Sequence, residues 1–167
     1  MADTLALRDP QRPFWWTALC FIVGIEALGM VVGGLFAPTP GGWYFQLEKP
    51  ALNPPAWVFP VAWTLLYAMM GWAIARIWAR PAETPGRATA LWAFGVQLAL
   101  NLSWSIVFFG LQALSAAVVA TLALLASVLV ATAAMARVDR MAGALMLPYC
   151  AWVAFAFYLT IWIAGNN

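Results

Sequence analysis

The chain has 167 residues, 65% of them hydrophobic and 8% charged, with a formal net charge of +2. A water-soluble domain carries about 25% charged residues, so this composition excludes a soluble fold and requires lipid as part of the solvent. The absence of His excludes an imidazole metal site, His-ligated haem and a Ser-His-Asp triad, and nothing resembles a nucleic-acid footprint.

In chain order, Met1–Arg12 is a short polar tail. It reads as a mature N-terminus, because the apolar run behind it is too long for a signal peptide and lacks a small-residue cleavage site. Five continuous apolar runs follow, at about residues 14–36, 54–79, 88–109, 113–136 and 141–164. Each is close to the ~20 residues needed to cross the hydrocarbon core, and continuity favours helices over the alternation of a barrel. The expected fold is therefore all-α: a single domain over residues 1–167, built as a five-transmembrane-helix bundle. Pro38-Thr39-Pro40-Gly41-Gly42 stops the first span and opens a loop over residues 38–53. Asn53 is placed to cap the second span, with Pro54 and Pro55 in its first turn. Pro60 is expected to kink that helix near Ala56. Cys20 and Cys150 each lie within an apolar run and read as small buried hydrophobes, with neither a disulfide nor a metal site expected.

Sidedness follows from the basic residues. Arg8, Arg12, Arg76, Arg80, Arg87, Arg137 and Arg140 fall on one side of a five-span topology, and only Lys49 falls on the other. This bias predicts a cytoplasmic N-terminus and an outside C-terminus, in a bacterial cell membrane. Glu26 lies near the middle of the first span. Two readings stand for it: a polar contact to a ligand or a proton site, and a neutral acid hydrogen-bonded to a neighbouring helix. Gly95-x-x-x-Ala99 in the third span permits close helix approach and is a candidate homodimer contact.

Aromatic residues occur in the first, second, third and fifth spans and in the first loop, but none lies between Gly110 and Pro148. Trp15, Trp16, Trp78 and Trp162 fit the membrane interface. Trp63, Trp104 and Trp152 sit deeper, where flat π surfaces suit a cavity for a large, planar, mostly apolar ligand.

Three motifs now stand out. The first is Trp43-Tyr44, Leu47, Lys49-Pro50 and Pro54-Pro55, followed by Phe59-Pro60, Trp63 and Leu66-Tyr67. The second joins Gln97, Asn101, Trp104-Ser105 and Phe108-Phe109-Gly110. The third is Pro148-Tyr149, Trp152 and Phe155-Ala156. With the five spans, they make the chain resemble the TspO/translocator protein family of tryptophan-rich sensory proteins. The resemblance implies a homodimeric five-helix bundle that binds porphyrins such as protoporphyrin IX, with sterols and synthetic ligands in some members. It also implies no required cofactor, with the porphyrin acting as ligand. Carried over, the pocket would comprise Trp63, Tyr67, Asn101, Trp104, Trp152 and Ala156. Trp43, Lys49, Pro54 and Pro55 would belong to its lid. This chain has Thr160 where the family commonly has an Asn facing the pocket, so a hydroxyl replaces an amide there. Tyr158 is not followed by a basic residue, so the sterol-type pattern is incomplete.

Three functional classes follow: a tetrapyrrole-binding sensor, carrier or scavenger; a light-dependent porphyrin-degrading enzyme using Trp63 and Trp152; and a structural or assembly protein with sterol or lipid binding.

Overall fold

The structure is a computed structural model and describes residues 14–167. The polar tail, with the Arg8 and Arg12 of the sidedness argument, lies outside the described residues. Six helices follow in order: α1 (Phe14–Phe36), the short α2 (Trp43–Gln46), α3 (Val58–Trp78), α4 (Arg87–Ser105), α5 (Leu114–Val138) and α6 (Arg140–Asn166). A π-helical turn, Ile106–Gly110, extends α4. All but α2 are long and apolar enough to cross a membrane, with α4 counted together with its π turn. The chain is a multi-pass membrane protein with an all-α, five-span bundle.

The spans form a ring: α1 packs on α3, α3 on α6, α6 on α5, α5 on α4, and α4 back on α1, with α3 and α4 also touching. In lipid, the apolar surface gives little drive toward the bundle, so close approach at small residues matters more. A Cβ at Gly71 would lie 2.6 Å from the Ile22 Cα, so α3 presses directly on the α1 backbone there. A Cβ at Gly29 would lie 2.2 Å from the Tyr67 ring, so α1 is notched to admit that side chain. Only Ala18 and Ile25 of α1 are buried, making it the span most open to lipid. Cys20 accordingly is exposed on this outward surface, correcting the expectation of burial. Both cysteines are free.

Three local expectations are corrected. The helix of the second span starts at Val58, not Pro54, and Asn53 does not cap it: its amide donates to the Pro54 carbonyl at 3.1 Å. The reason lies in the consecutive prolines, since the residue before a proline is pushed out of the helical region. Pro60 then falls in the first turn of α3, where its missing N–H is needed least, so it breaks no interior hydrogen bond. The proline inside a helix is Pro148 of α6. The loop 38–53 also contains a helical turn, α2.

The two ends of the bundle differ chemically. Arg76, Arg80, Arg87, Arg137 and Arg140 gather where α3 and α5 end and α4 and α6 begin, and Lys49 lies at the opposite end. At the basic end Asp139 is almost fully buried and organises the corner. Its carboxylate caps α6 by accepting from the Met141 and Ala142 amides at 2.9 and 3.0 Å. It also accepts from Arg76 Nε and Nη2 at 3.2 and 2.9 Å, and from Arg80 Nη2. Burial opposes ionisation of this group, but the hydrogen bonds from Arg76, Arg80 and Ala142 outweigh it and hold the carboxyl well below the usual carboxylate range. Arg87 donates to the Ile77 and Trp78 carbonyls and lies over the Trp78 ring, closing the end of α3.

Candidate functional site

The deep aromatic residues of α3 and α6 meet. Trp63 and Trp152 contact edge to face with ring centroids 6.4 Å apart. Trp63 also lies against Tyr67 at 5.2 Å and Tyr149 at 6.2 Å, and Phe59 approaches Trp152 at 6.0 Å. Their helical spacing accounts for the grouping: Trp63 and Tyr67 are four residues apart on α3, and Tyr149 and Trp152 three apart on α6. Aromatic pairs favour such edge-on geometry because the ring quadrupoles then attract.

Beneath these rings runs a polar row. The Tyr67 hydroxyl donates to Asn101 Oδ1 at 2.8 Å, and Asn101 Nδ2 donates to the Tyr149 hydroxyl at 3.0 Å. One side chain each from α3, α4 and α6 is thus joined across the ring interior. Asn101 and Tyr149 are buried. In a low-dielectric interior such a row fixes the relative rotation of three helices, because any slip strands a polar group.

Trp104 goes elsewhere. It stacks on Phe108 with centroids 4.9 Å apart, and its indole N–H donates to Thr121 Oγ1 of α5 at 2.6 Å. Trp43 and Tyr44 of the first connection pack edge-on to Phe108 at 5.9 and 6.1 Å, and Tyr44 reaches Phe109 at 5.4 Å. The π turn makes this possible. Its extra residue advances the helix phase, so the adjacent Phe108 and Phe109 both reach Tyr44. Five of the seven residues expected to line one pocket therefore divide. Trp63, Tyr67, Asn101 and Trp152 gather around the polar row, and Trp104 forms the base under the first connection.

Three further expected residues are Thr160, Ala156 and Glu26. Thr160 is buried and its hydroxyl donates to the Ala156 carbonyl at 2.8 Å, so its polar group is spent on its own helix. Ala156 is half-buried one turn earlier. Glu26 is half-buried on α1 and forms no ion pair among the described residues.

The first connection folds down onto the bundle. Lys49 donates to the Leu47 carbonyl at 2.9 Å and stands over the Tyr44 ring at 4.7 Å, so its cation is held within the connection itself. Pro50 is buried and Pro54 half-buried, whereas Pro55 is exposed. Asn167, just beyond α6, clasps Glu48 reciprocally: the Glu48 amide donates to Asn167 Oδ1 at 2.9 Å, and Asn167 Nδ2 donates to the Glu48 carbonyl at 3.2 Å. With 27 residues, α6 is about 40 Å long at 1.5 Å per residue, enough to project past the hydrocarbon and reach this loop.

Residue-type reasoning missed Tyr149, Phe108 and Tyr44 as members of these clusters. Each stood in a quoted motif, but only the fold reveals that Tyr149 closes the polar row. It also missed Asp139, although an acid before an apolar run, with arginines four residues apart at Arg76 and Arg80, was the available signal.

Five membrane spans, two aromatic clusters and a loop folded over one end define a polytopic bundle with an aromatic interior. The chain belongs to the TspO/MBR family, whose profile matches residues 14–164. It is 39% identical over 150 residues to the tryptophan-rich protein TspO of Chlorobaculum tepidum, covering 89% of this chain and 91% of that one. It is 38% identical over 142 residues to the tryptophan-rich sensory protein of Cereibacter sphaeroides, covering 85% of each. It is 33% identical over 159 residues to the translocator protein of Homo sapiens, covering 94% of each.

Proposed function

We propose that the chain binds a porphyrin-type tetrapyrrole, such as protoporphyrin IX, at the Trp63–Trp152 aromatic cluster, and acts in sensing, transport or scavenging. The observation that carries this reading is the Trp63–Trp152 edge contact above the Tyr67–Asn101–Tyr149 row. It sets flat apolar surfaces beside a few fixed polar groups, the combination that suits a planar ligand. The first connection serves as the lid, opened by releasing the Asn167–Glu48 clasp. Lys49 is the cation placed to meet a ligand carboxylate once it leaves the Tyr44 ring.

A second reading is favoured by the same contact. Two touching indoles beside a photo-excited macrocycle can donate electrons, and with dioxygen as oxidant the porphyrin would be degraded. A third, binding of sterol or lipid by a structural or assembly protein, rests on the exposed apolar surface alone.

Several finer features belong to this proposal. The described arginines at one end support that end as cytoplasmic in a bacterial cell membrane, with the C-terminus outside. The outer face of α4 supports a homodimer: Gly95 and Ala99 are exposed, a Cβ at Gly95 would meet nothing within 4 Å, and Trp92 on that face is 77% exposed.

The test is a protoporphyrin IX titration in detergent, in darkness and then under illumination. Saturable quenching of Trp emission in the dark supports binding. Light-dependent loss of the porphyrin absorption band, abolished by Trp63→Phe or Trp152→Phe, supports degradation. Neither effect refutes both readings.

A further inference from the structure

Gln97 stands apart from the site described above. It lies near the middle of α4, is 0% exposed, and neither its Nε2 nor its Oε1 has a partner among the described residues. An amide buried in this way is costly, because folding strips its water and returns nothing. Gln97 precedes Asn101 by four residues, so the two lie on one face of α4, one turn apart.

Following the protons of the polar row shows a matching deficit. Tyr67 spends its proton on Asn101 Oδ1, and Asn101 spends one on the Tyr149 oxygen. Tyr149 then holds an O–H of its own, is 0% exposed, and donates to no acceptor among the described residues. One turn from Asn101, Gln97 has an empty acceptor and two unspent donors. A group that accepts from Tyr149 and from Gln97 Nε2, and donates to Gln97 Oε1, satisfies the Tyr149 hydroxyl, the Gln97 acceptor and one of the two Gln97 donors. Water has that two-donor, two-acceptor capacity. A metal cation would leave the Tyr149 and Gln97 donors unmet, and complete burial of both side chains excludes anything bulky.

We propose that Gln97 and Tyr149 hold an internal water, which closes a chain from Tyr67 through Asn101, Tyr149 and the water to Gln97. Both ends of the α4 segment then bind into one network, and the row that floors the aromatic cluster is terminated inside the protein. This inference does not depend on which ligand the aromatic cluster takes.

The test uses the full chain in detergent. Gln97→Leu removes the amide at similar volume, and Tyr149→Phe removes the terminal hydroxyl. Gln97→Leu lowers the Tm by about 4 °C on the scale of one buried hydrogen bond, and Tyr149→Phe lowers it further because it also removes the acceptor of Asn101 Nδ2. The double variant falls clearly short of the sum, because both changes break one bridge. A Gln97→Leu variant as stable as the wild type or more so, or strict additivity, overturns the proposal. If Gln97→Leu does not fold, Gln97→Glu reads the same question: a neutral carboxyl keeps a donor and an acceptor, so its Tm stays near wild type, and a loss as large as that of Tyr149→Phe overturns it. A crystal structure fine enough to show waters should place one within about 3.2 Å of both the Gln97 amide and the Tyr149 oxygen. Ordered water out of reach of Tyr149, or none at Gln97, overturns it as well.

Discussion

Replacing Asp139 by Ala removes its contacts to four residues at once, and the loss can be worked from the structure. Two backbone donors at the start of α6, Met141 and Ala142, lose their cap, which costs about 1–2 kcal/mol. Arg76 and Arg80 lose their shared acceptor. The Asp139 side chain is only 3% exposed, but those of Arg76 and Arg80 are 31% and 45% exposed. Water can therefore take over much of their solvation, and about 0.5–1 kcal/mol for each replaces the larger penalty of a stranded buried charge. Asp139→Ala should cost about 3 kcal/mol. Asp139→Asn keeps a cap oxygen, loses the charge and should cost about half as much. The assay is unfolding in mixed micelles followed by Trp emission. Acid supplies a second axis. The folded carboxyl is held below its ordinary value, so its stabilisation is complete above about pH 5, starts to fade near the ordinary Asp pKa of about 3.9, and is lost as pH falls toward the depressed value. Asp139→Asn should remove that acid-side slope. An Asp139→Ala loss below about 0.5 kcal/mol, or an unchanged slope in Asp139→Asn, would refute the reasoning.

Three further outcomes are expected. Gly71→Ala drives a methyl to 2.6 Å from the Ile22 backbone and should destabilise by about 1–3 kcal/mol, whereas Gly34→Ala, with nothing within 4 Å of its Cβ, should be neutral or slightly stabilising; equal Tm values for the pair would contradict the packing of α1 on α3. Thr160→Val should leave porphyrin affinity within twofold, since the hydroxyl is bonded to Ala156; a tenfold change would place Thr160 in contact with ligand. Asn167→Ala frees Glu48 and should speed hydrogen exchange of the Glu48 amide about fivefold, equivalent to one net hydrogen bond; an unchanged rate would show that the clasp does not hold the connection down.

The spans were legible because each is a continuous apolar run of membrane length, and lipid demands that its backbone bond internally. Their starts were less so. Asn53-Pro54-Pro55 has the residue types of a helix N-terminus, yet the proline pair keeps Asn53 and Pro54 out of the helix, which starts only at Val58 after a turn through Ala56 and Trp57. The site was legible in part. Motif positions pointed to Trp63, Tyr67, Asn101 and Trp152, and i, i+4 spacing set Trp63 and Tyr67 on one face. Spacing along one helix cannot say which helix lies opposite. Trp104 therefore looked equivalent to Trp152, although the π turn and Thr121 draw it to α5 and the first connection. Nor does residue type reveal where a hydroxyl is spent: Thr160 looked like a shortened ligand contact and is bonded to its own helix. Asp139 read as part of a polar turn because its partners, Arg76 and Arg80, are about sixty residues away in the chain and meet it only through the ring order.

The measurement that tests the central claim most directly is protoporphyrin IX affinity, followed by the shift of its absorption band so that removing a Trp does not remove the signal. Trp152→Leu and Asn101→Leu, one on each of two facing helices, should each weaken binding by tenfold or more, while Trp92→Leu on the outer face of α4 should not. Wild-type affinity in both interior variants, or an equal loss in all three, would contradict a binding site at the aromatic cluster.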